Sequence, residues 1–186
     1  MFLWCAIDLD DQMTDLKEEV RKVSEELDIE NIAMLLPFHV SLRISFEIPD
    51  EKEEEVKAAM KEYFSTLRRF RLEPLCMERQ GNVVWIRMKD NPKLSRIHEG
   101  LCQMLQERFD VPLAEYDKVF IFHSTLAWTL DDEGAERIFQ RLSDAKIPSF
   151  FKAKNFVVGR AFTGKPGDFK VVGCCEIAED QDDYLM

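Results

Sequence analysis

The sequence predicts an α+β fold: one bilobal domain of two pseudo-repeated antiparallel-sheet lobes, with helices outside and a central cleft. Three observations predict it. Segments with the two-residue period of a half-buried strand alternate with segments of the three-to-four-residue period of an amphipathic helix. The order strand, helix, strand, helix, strand occurs and then occurs again, followed by one closing strand; the repeat is one of element order, not of residue identity. No linker or low-complexity stretch parts the halves, and 186 residues is an ordinary length for one domain. The domain is expected over residues 1–177, with 178–186 an acidic flexible tail.

Each element has its reason. Met1–Leu9 is apolar and reads as a buried strand. Over 11–27, Met13, Leu16, Val20, Val23 and Leu27 recur at helical spacing. From Leu36 to Ile48 every even position is apolar (Leu36, Phe38, Val40, Leu42, Ile44, Phe46, Ile48), the pattern of a strand with one buried face. Pro49-Asp50 ends it, and an acidic helix with Val56, Met60 and Phe64 on its inner side follows. Residues 67–78 predict a strand, as do Asn82–Met88. Asn91-Pro92 opens a helix whose Leu94, Ile97, Leu101, Leu105 and Phe109 share a face. Lys118–Leu130 predicts a strand, and Asp131-Asp132 cap a helix over 133–144. Lys152–Phe162 and Phe169–Ile177 are β-rich, with a hairpin turn over Gly164–Asp168.

Composition removes several function classes. Hydrophobic residues are 46% and charged residues 33%, and fourteen Phe with three Trp furnish a core, so the chain is globular rather than disordered. The net charge of −11 speaks against an open face that grips duplex DNA through its phosphates. No apolar run reaches the ~20 residues of a membrane span, and the apolar start lacks the basic leader of a signal peptide. Five cysteines, without a CxxC spacing, predict reduced thiols in a cytoplasmic protein.

The chemistry is concentrated in two of the three histidines. Phe38-His39-Val40-Ser41-Leu42 and Phe122-His123-Ser124-Thr125-Leu126 are two copies of Phe-His-x-Ser/Thr-Leu, 84 residues apart, each expected mid-strand in the second strand of its half. Residues i and i+2 of a strand share a face. His39 and Ser41 therefore point together, as do His123 and Thr125, and Arg43 is expected to continue the His39 face. One copy is no more than a polar pair on a solvated strand; two copies at equivalent places predict a shared site. Imidazole exchanges protons near neutrality. Two of them can divide displacement at phosphorus: one takes the proton of the attacking oxygen and the other supplies one to the leaving oxygen. The hydroxyls can donate to the non-bridging oxygens. No zinc, calcium or phosphate-loop motif is present and no metal or cofactor is expected. With no GxSxG elbow, a nucleophilic triad is a poorer fit.

The paired motifs, with the opening WCAIDL leading into a helix, resemble the two-histidine (2H) phosphoesterase superfamily, in its 2′-5′ RNA ligase-like and cyclic nucleotide phosphodiesterase branch. The likeness spans about residues 1–177. It implies a bilobal fold with a central cleft and metal-independent hydrolysis of a 2′,3′-cyclic or related phosphodiester of a nucleotide or RNA end. His39 and His123 match the catalytic histidines; Ser41 and Thr125 match the phosphate-binding hydroxyls. Where several RNA ligase-like members carry a basic residue after the second motif, this chain has Trp128. That difference and the acidic balance point to a small nucleotide or cyclic phosphate as partner, for an enzyme expected to be monomeric. A nucleotide-binding module without turnover and a 2′-5′ RNA ligase are the alternatives.

Other candidates are weaker. Arg43 is as readily a rim residue paired with an acid as a phosphate ligand. Trp4, Trp85 and Trp128 can stack on a base, but tryptophan is usually core; Trp128 is retained as a substrate-binding candidate. Arg68, Arg69, Arg71, Arg79 and Arg87, like Lys152, Lys154 and Arg160, read as solvated cations balancing acids. His98, without a motif around it, reads as surface.

Overall fold

The structure, a computed structural model, describes residues 1–163 and 168–178. The acidic tail beyond Ala178 and residues 164–167 of the expected turn lie outside these. β1 (Phe2–Asp8) runs into α1 (Thr14–Glu26), and β2 (His39–Glu47) into α2 (Glu53–Ser65). β3 (Phe70–Leu72), β4 (Pro74–Gln80) and β5 (Val83–Met88) precede α3 (Pro92–Phe109). β6 (His123–Trp128) leads to α4 (Asp132–Arg141), followed by β7 (Phe151–Ala153), β8 (Asn155–Ala161) and β9 (Lys170–Glu176).

Capping follows the local sequence. The Asn91 side chain accepts from the amides of Lys93 and Leu94, and Pro92 occupies the first turn of α3, where its missing N–H costs nothing. Asp110, left-handed at φ 55°, ends that helix. Asp131 accepts from Gly134 N and starts α4. Leu16, Val20 and Val23 form the buried stripe of α1.

Seven strands form one antiparallel sheet in the order β4-β5-β6-β2-β1-β8-β9, while β3 and β7 pair separately. Outward from the centre, β6-β5-β4 mirrors β2-β1-β8. The helices follow the same symmetry crosswise. α1, which leaves β1, packs on β6 and α4; α3, which leaves β5, packs on β2 and α2. This is the mixed helix and antiparallel-sheet architecture the sequence predicts. The two halves of the sheet meet at a single ladder pair, Val40 opposite Ser124. No helix among the described residues is long and apolar enough to cross a membrane.

Several boundaries differ from expectation. Both motif strands begin late, so His39 and His123 open their strands instead of lying within them. Asn31 caps a short 3-10 turn, Ile32–Leu35, and Pro37 has no N–H to give a ladder. Ahead of β6 the chain leaves a 3-10 turn, Glu115–Asp117, turns again at Lys118–Val119 and is irregular over 120–122, so the strand begins only at His123. The strand expected over 67–78 is split at Glu73 into β3 and β4, which join different sheets.

The largest difference lies in β2. Against β1 its register runs Leu3–Phe46, then Cys5–Arg43, then Ala6–Ser41, with a shift on each side of Cys5. β2 therefore carries two extra residues; the first reverses the side-chain faces and the second restores them, so only the residues between, Arg43 and Ile44, exchange faces. Leu42 and Arg43 both enter the core, while Ile44 faces the other way. The strict alternation of the sequence breaks here.

Candidate functional site

β1 separates the two faces of the sheet. Leu3, Cys5 and Ile7 join the core under the helices, whereas Trp4 and Ala6 pack with Val157 on the opposite side. Ala6 pairs with Ser41 and Asp8 with His39, so the motif residues of β2 lie on this second face. Across the junction Val40 and Ser124 are both buried on the core side. One step either way in an antiparallel pair sets His39 opposite Thr125 and Ser41 opposite His123. Directly opposed residues bring their Cβ atoms within ~5 Å. By this register the four motif positions make a square on one sheet face, each histidine position opposite the other motif's hydroxyl position.

Both rings are held in the same way. Nδ1 of His39 lies 2.7 Å from the carbonyl oxygen of Pro37, and Nδ1 of His123 lies 2.8 Å from that of Ile121. A carbonyl oxygen only accepts, so each Nδ1 carries the proton and each Nε2 is left to exchange one. Each ring also lies against an indole. Trp4 packs tilted against His39 at 5.1 Å between centroids, and Trp85 against His123 at 4.5 Å, with interplanar angles of 32° and 34°. The indole N–H of Trp85 donates to Glu78 at 3.2 Å. Trp4 is buried, as the core reading expects, and Trp85 is half-buried; each nonetheless meets a motif histidine. Each is the third residue of its strand, in the strand beside a motif strand. That matched placement was the available sequence signal.

Burial holds both imidazoles below the ordinary histidine value of 6.5. For His39 the Pro37 carbonyl opposes burial, nearby His123 reinforces it, and Asp8 and Asp10 oppose it. For His123 the opposing groups are the Ile121 carbonyl and Glu78. A bound anion would favour the protonated forms of both. The square can thus hold one neutral and one protonated imidazole near neutrality.

Beside the square opens a cavity of about 410 Å³. His39, Ser41 and Thr125 line it on the motif side; Trp4, Ile44, Trp128, Phe169, Leu35 and Leu36 supply most of the remaining wall. His123 is not among its lining residues. Trp128 is 37% exposed and lines the cavity. Sequence reading missed Ile44, Leu35, Leu36 and Phe169, because nothing local marks which apolar residues line a cleft.

Arg43 does not reach this face. It is 2% exposed and donates from Nη1 to Asp117, 2.7 Å at its closest, and from Nη2 to the Pro112 carbonyl at 3.0 Å. His98 is buried rather than on the surface. Its Nδ1 lies 2.7 Å from the Leu42 carbonyl and its Nε2 3.2 Å from that of Asp117. His98, Cys102 and Asp117 offer potential metal-ligand atoms within 4.8 Å of one another, yet Arg43 holds the carboxylate and both ring nitrogens face carbonyls. All five cysteines are unpaired. Arg79 pairs with Glu136, Arg87 with Glu78, Lys154 with Asp11 and Arg160 with Glu53, so these cations balance acids.

The family model described as the 2'-5' RNA ligase superfamily matches residues 5–161. The crystal structure of TT0787 of Thermus thermophilus superposes with a TM-score of 0.64 at 18% identity, covering 97% of this chain and 100% of that one. E. coli LigT complexed with NADP+ gives 0.59 at 18% identity, with coverages of 95% and 97%. E. coli LigT complexed with 3'-AMP gives 0.57 at 16%, with coverages of 95% and 98%. At these identities the likeness is one of fold. No curated protein matches by sequence. The family match over most of the chain rests on the segment that contains both histidine motifs, and the chain belongs to the 2'-5' RNA ligase superfamily of 2H phosphoesterases.

Proposed function

We propose that this protein hydrolyses a 2′,3′-cyclic phosphodiester of a nucleotide or RNA end, using His39 and His123 as its acid–base pair without a metal. The observation that carries this reading is the matched pair of imidazoles on one sheet face. Each has Nδ1 fixed as a donor to the carbonyl two residues earlier and Nε2 free. A binding module has no need of two rings prepared in the same tautomer. E. coli LigT has been solved with phosphate and with 3'-AMP, a likeness that also favours a phosphate ester here.

The step balances with these groups alone. Water attacks phosphorus; one neutral Nε2 takes its proton as the new P–O bond forms. The opposite P–O bond of the five-membered ring breaks, and the other imidazole, protonated, gives its Nε2 proton to the departing ribose oxygen. Ser41 and Thr125 donate hydrogen bonds to the non-bridging oxygens, on which negative charge concentrates. The pair ends with its protonation exchanged and resets through solvent.

The test is turnover of adenosine 2′,3′-cyclic phosphate in the presence of a chelator. His39→Ala and His123→Ala are each expected to lower kcat by about 10²–10⁴-fold, and Ser41→Ala or Thr125→Ala by about 10²-fold. Wild-type rates in either histidine variant, or loss of wild-type activity to the chelator, refute the mechanism.

A further inference from the structure

Resting on that reading, we propose that the substrate carries a single phosphate and that the rest of it is neutral: a cyclic mononucleotide rather than an RNA end or a nucleoside polyphosphate. The cavity beside His39 decides this. Among the described residues, its lining contains no Lys, Arg, Asp or Glu. Apart from the motif residues and Ser45, the side chains facing it are apolar or aromatic. A phosphate pushed against such walls would give up its hydration with no cation to replace it.

The bulge of β2 is the device that makes the cavity neutral. Simple alternation would put Arg43 on the face of His39 and Ser41, beside any phosphate held there. The register shifts around Cys5 turn Arg43 into the core, where Asp117 neutralises it, and bring Ile44 to the cavity instead. The one cation that β2 could have offered to a second phosphate is removed. Beside His39 stand Asp8 and Asp10, with Lys17 paired to Asp10; beside His123 stand Glu78 and, opposite it on β5, Arg87, which Glu78 engages at 3.6 Å. The two cations nearest the imidazoles are thus already held by acids. A volume of about 410 Å³ lies within the ~300–1,000 Å³ of small-ligand pockets, and the exposed indole of Trp128 offers a flat apolar wall for an uncharged ring.

The experiment compares kcat/KM for adenosine 2′,3′-cyclic phosphate, the same compound bearing a 5′-phosphate, and an RNA decamer ending in a cyclic phosphate. The added 5′-phosphate is expected to lower kcat/KM at least about tenfold, and the decamer is expected to be slower still. Ile44→Arg is expected to narrow the gap between the two mononucleotides by about tenfold. Equal or faster turnover of the 5′-phosphorylated compound by the wild type overturns the proposal. If no cyclic phosphate is turned over, the hydrolase reading fails by itself. Calorimetry with adenosine 3′-monophosphate against adenosine 3′,5′-bisphosphate then still measures the pocket: weaker binding of the bisphosphate sustains a neutral pocket, and tighter binding refutes it.

Discussion

Truncating Asp117 isolates the buried cation on which the shape of β2 depends. In the Arg43–Asp117 pair the side chains are 3% and 1% exposed and approach to 2.7 Å. Asp117→Ala leaves the guanidinium with the Pro112 carbonyl and the face of Phe46 as partners, its Nε already having none. Removing one member of a buried pair costs about 3–5 kcal/mol. The bond from the Ala114 amide to the same carboxylate, 2.7 Å long, adds about 1 kcal/mol. A loss of about 4–6 kcal/mol is a large share of the ~5–15 kcal/mol of a typical domain. For a chain of this size it corresponds to a fall in Tm of about 10–20 °C. Replacing both charges by apolar groups, as in Arg43→Met with Asp117→Leu, removes the stranded cation and is expected to cost much less than the sum of the single changes. Chemical denaturation of the four proteins measures that coupling, with Lys52→Ala on the exposed Lys52–Glu55 pair as a control expected to change nothing measurable. If Asp117→Ala costs less than about 1 kcal/mol, Arg43 reaches water, and both the bulge and the neutral cavity that follows from it are wrong.

Three further outcomes follow from the same structure. Gly159 pairs with Trp4, and a Cβ on it would overlap Cε2 of that indole; Gly159→Ala is expected to shift the indole off His39, lower kcat and cost about 1–3 kcal/mol, whereas Gly173→Ala, whose Cβ meets nothing closer than 3.8 Å, is expected to be tolerated. Burial holds both motif imidazoles below 6.5 in the free enzyme, so kcat/KM is expected to follow a bell on the acid side of that value. The bound anion favours imidazolium, so the kcat bell is expected at higher pH; coincident bells argue against a phosphate between the rings. For stability the sign is set by proton uptake. The unfolded chain binds more protons than the folded one between 6.5 and the lowered folded values, so Tm is expected to fall as pH drops through that window. His39→Ala is expected to flatten the fall and inorganic phosphate to offset it, both readable by thermal melts across pH 5–8.

Much of this protein was legible in the chain itself. The helical stripes of Leu16, Val20 and Val23 and of Leu94, Ile97 and Leu101 encode packed faces, because helix period and burial are local matters. The duplicated His-x-Ser/Thr dyads were visible because i and i+2 share a strand face whatever surrounds them. Other features depend on partners far away in sequence. Whether Arg43 faces the cleft or the core is decided by Asp117, 74 residues on, and by an offset with β1 that no local pattern records. Trp4 and Trp85 meet His39 and His123 only through the pairing of strands, and buried His98 finds its two carbonyl partners on other segments. Periodicity tells which residues can share a face, but the pairing of strands determines which face that is, and at β2 only that pairing brings Arg43 to its distant partner.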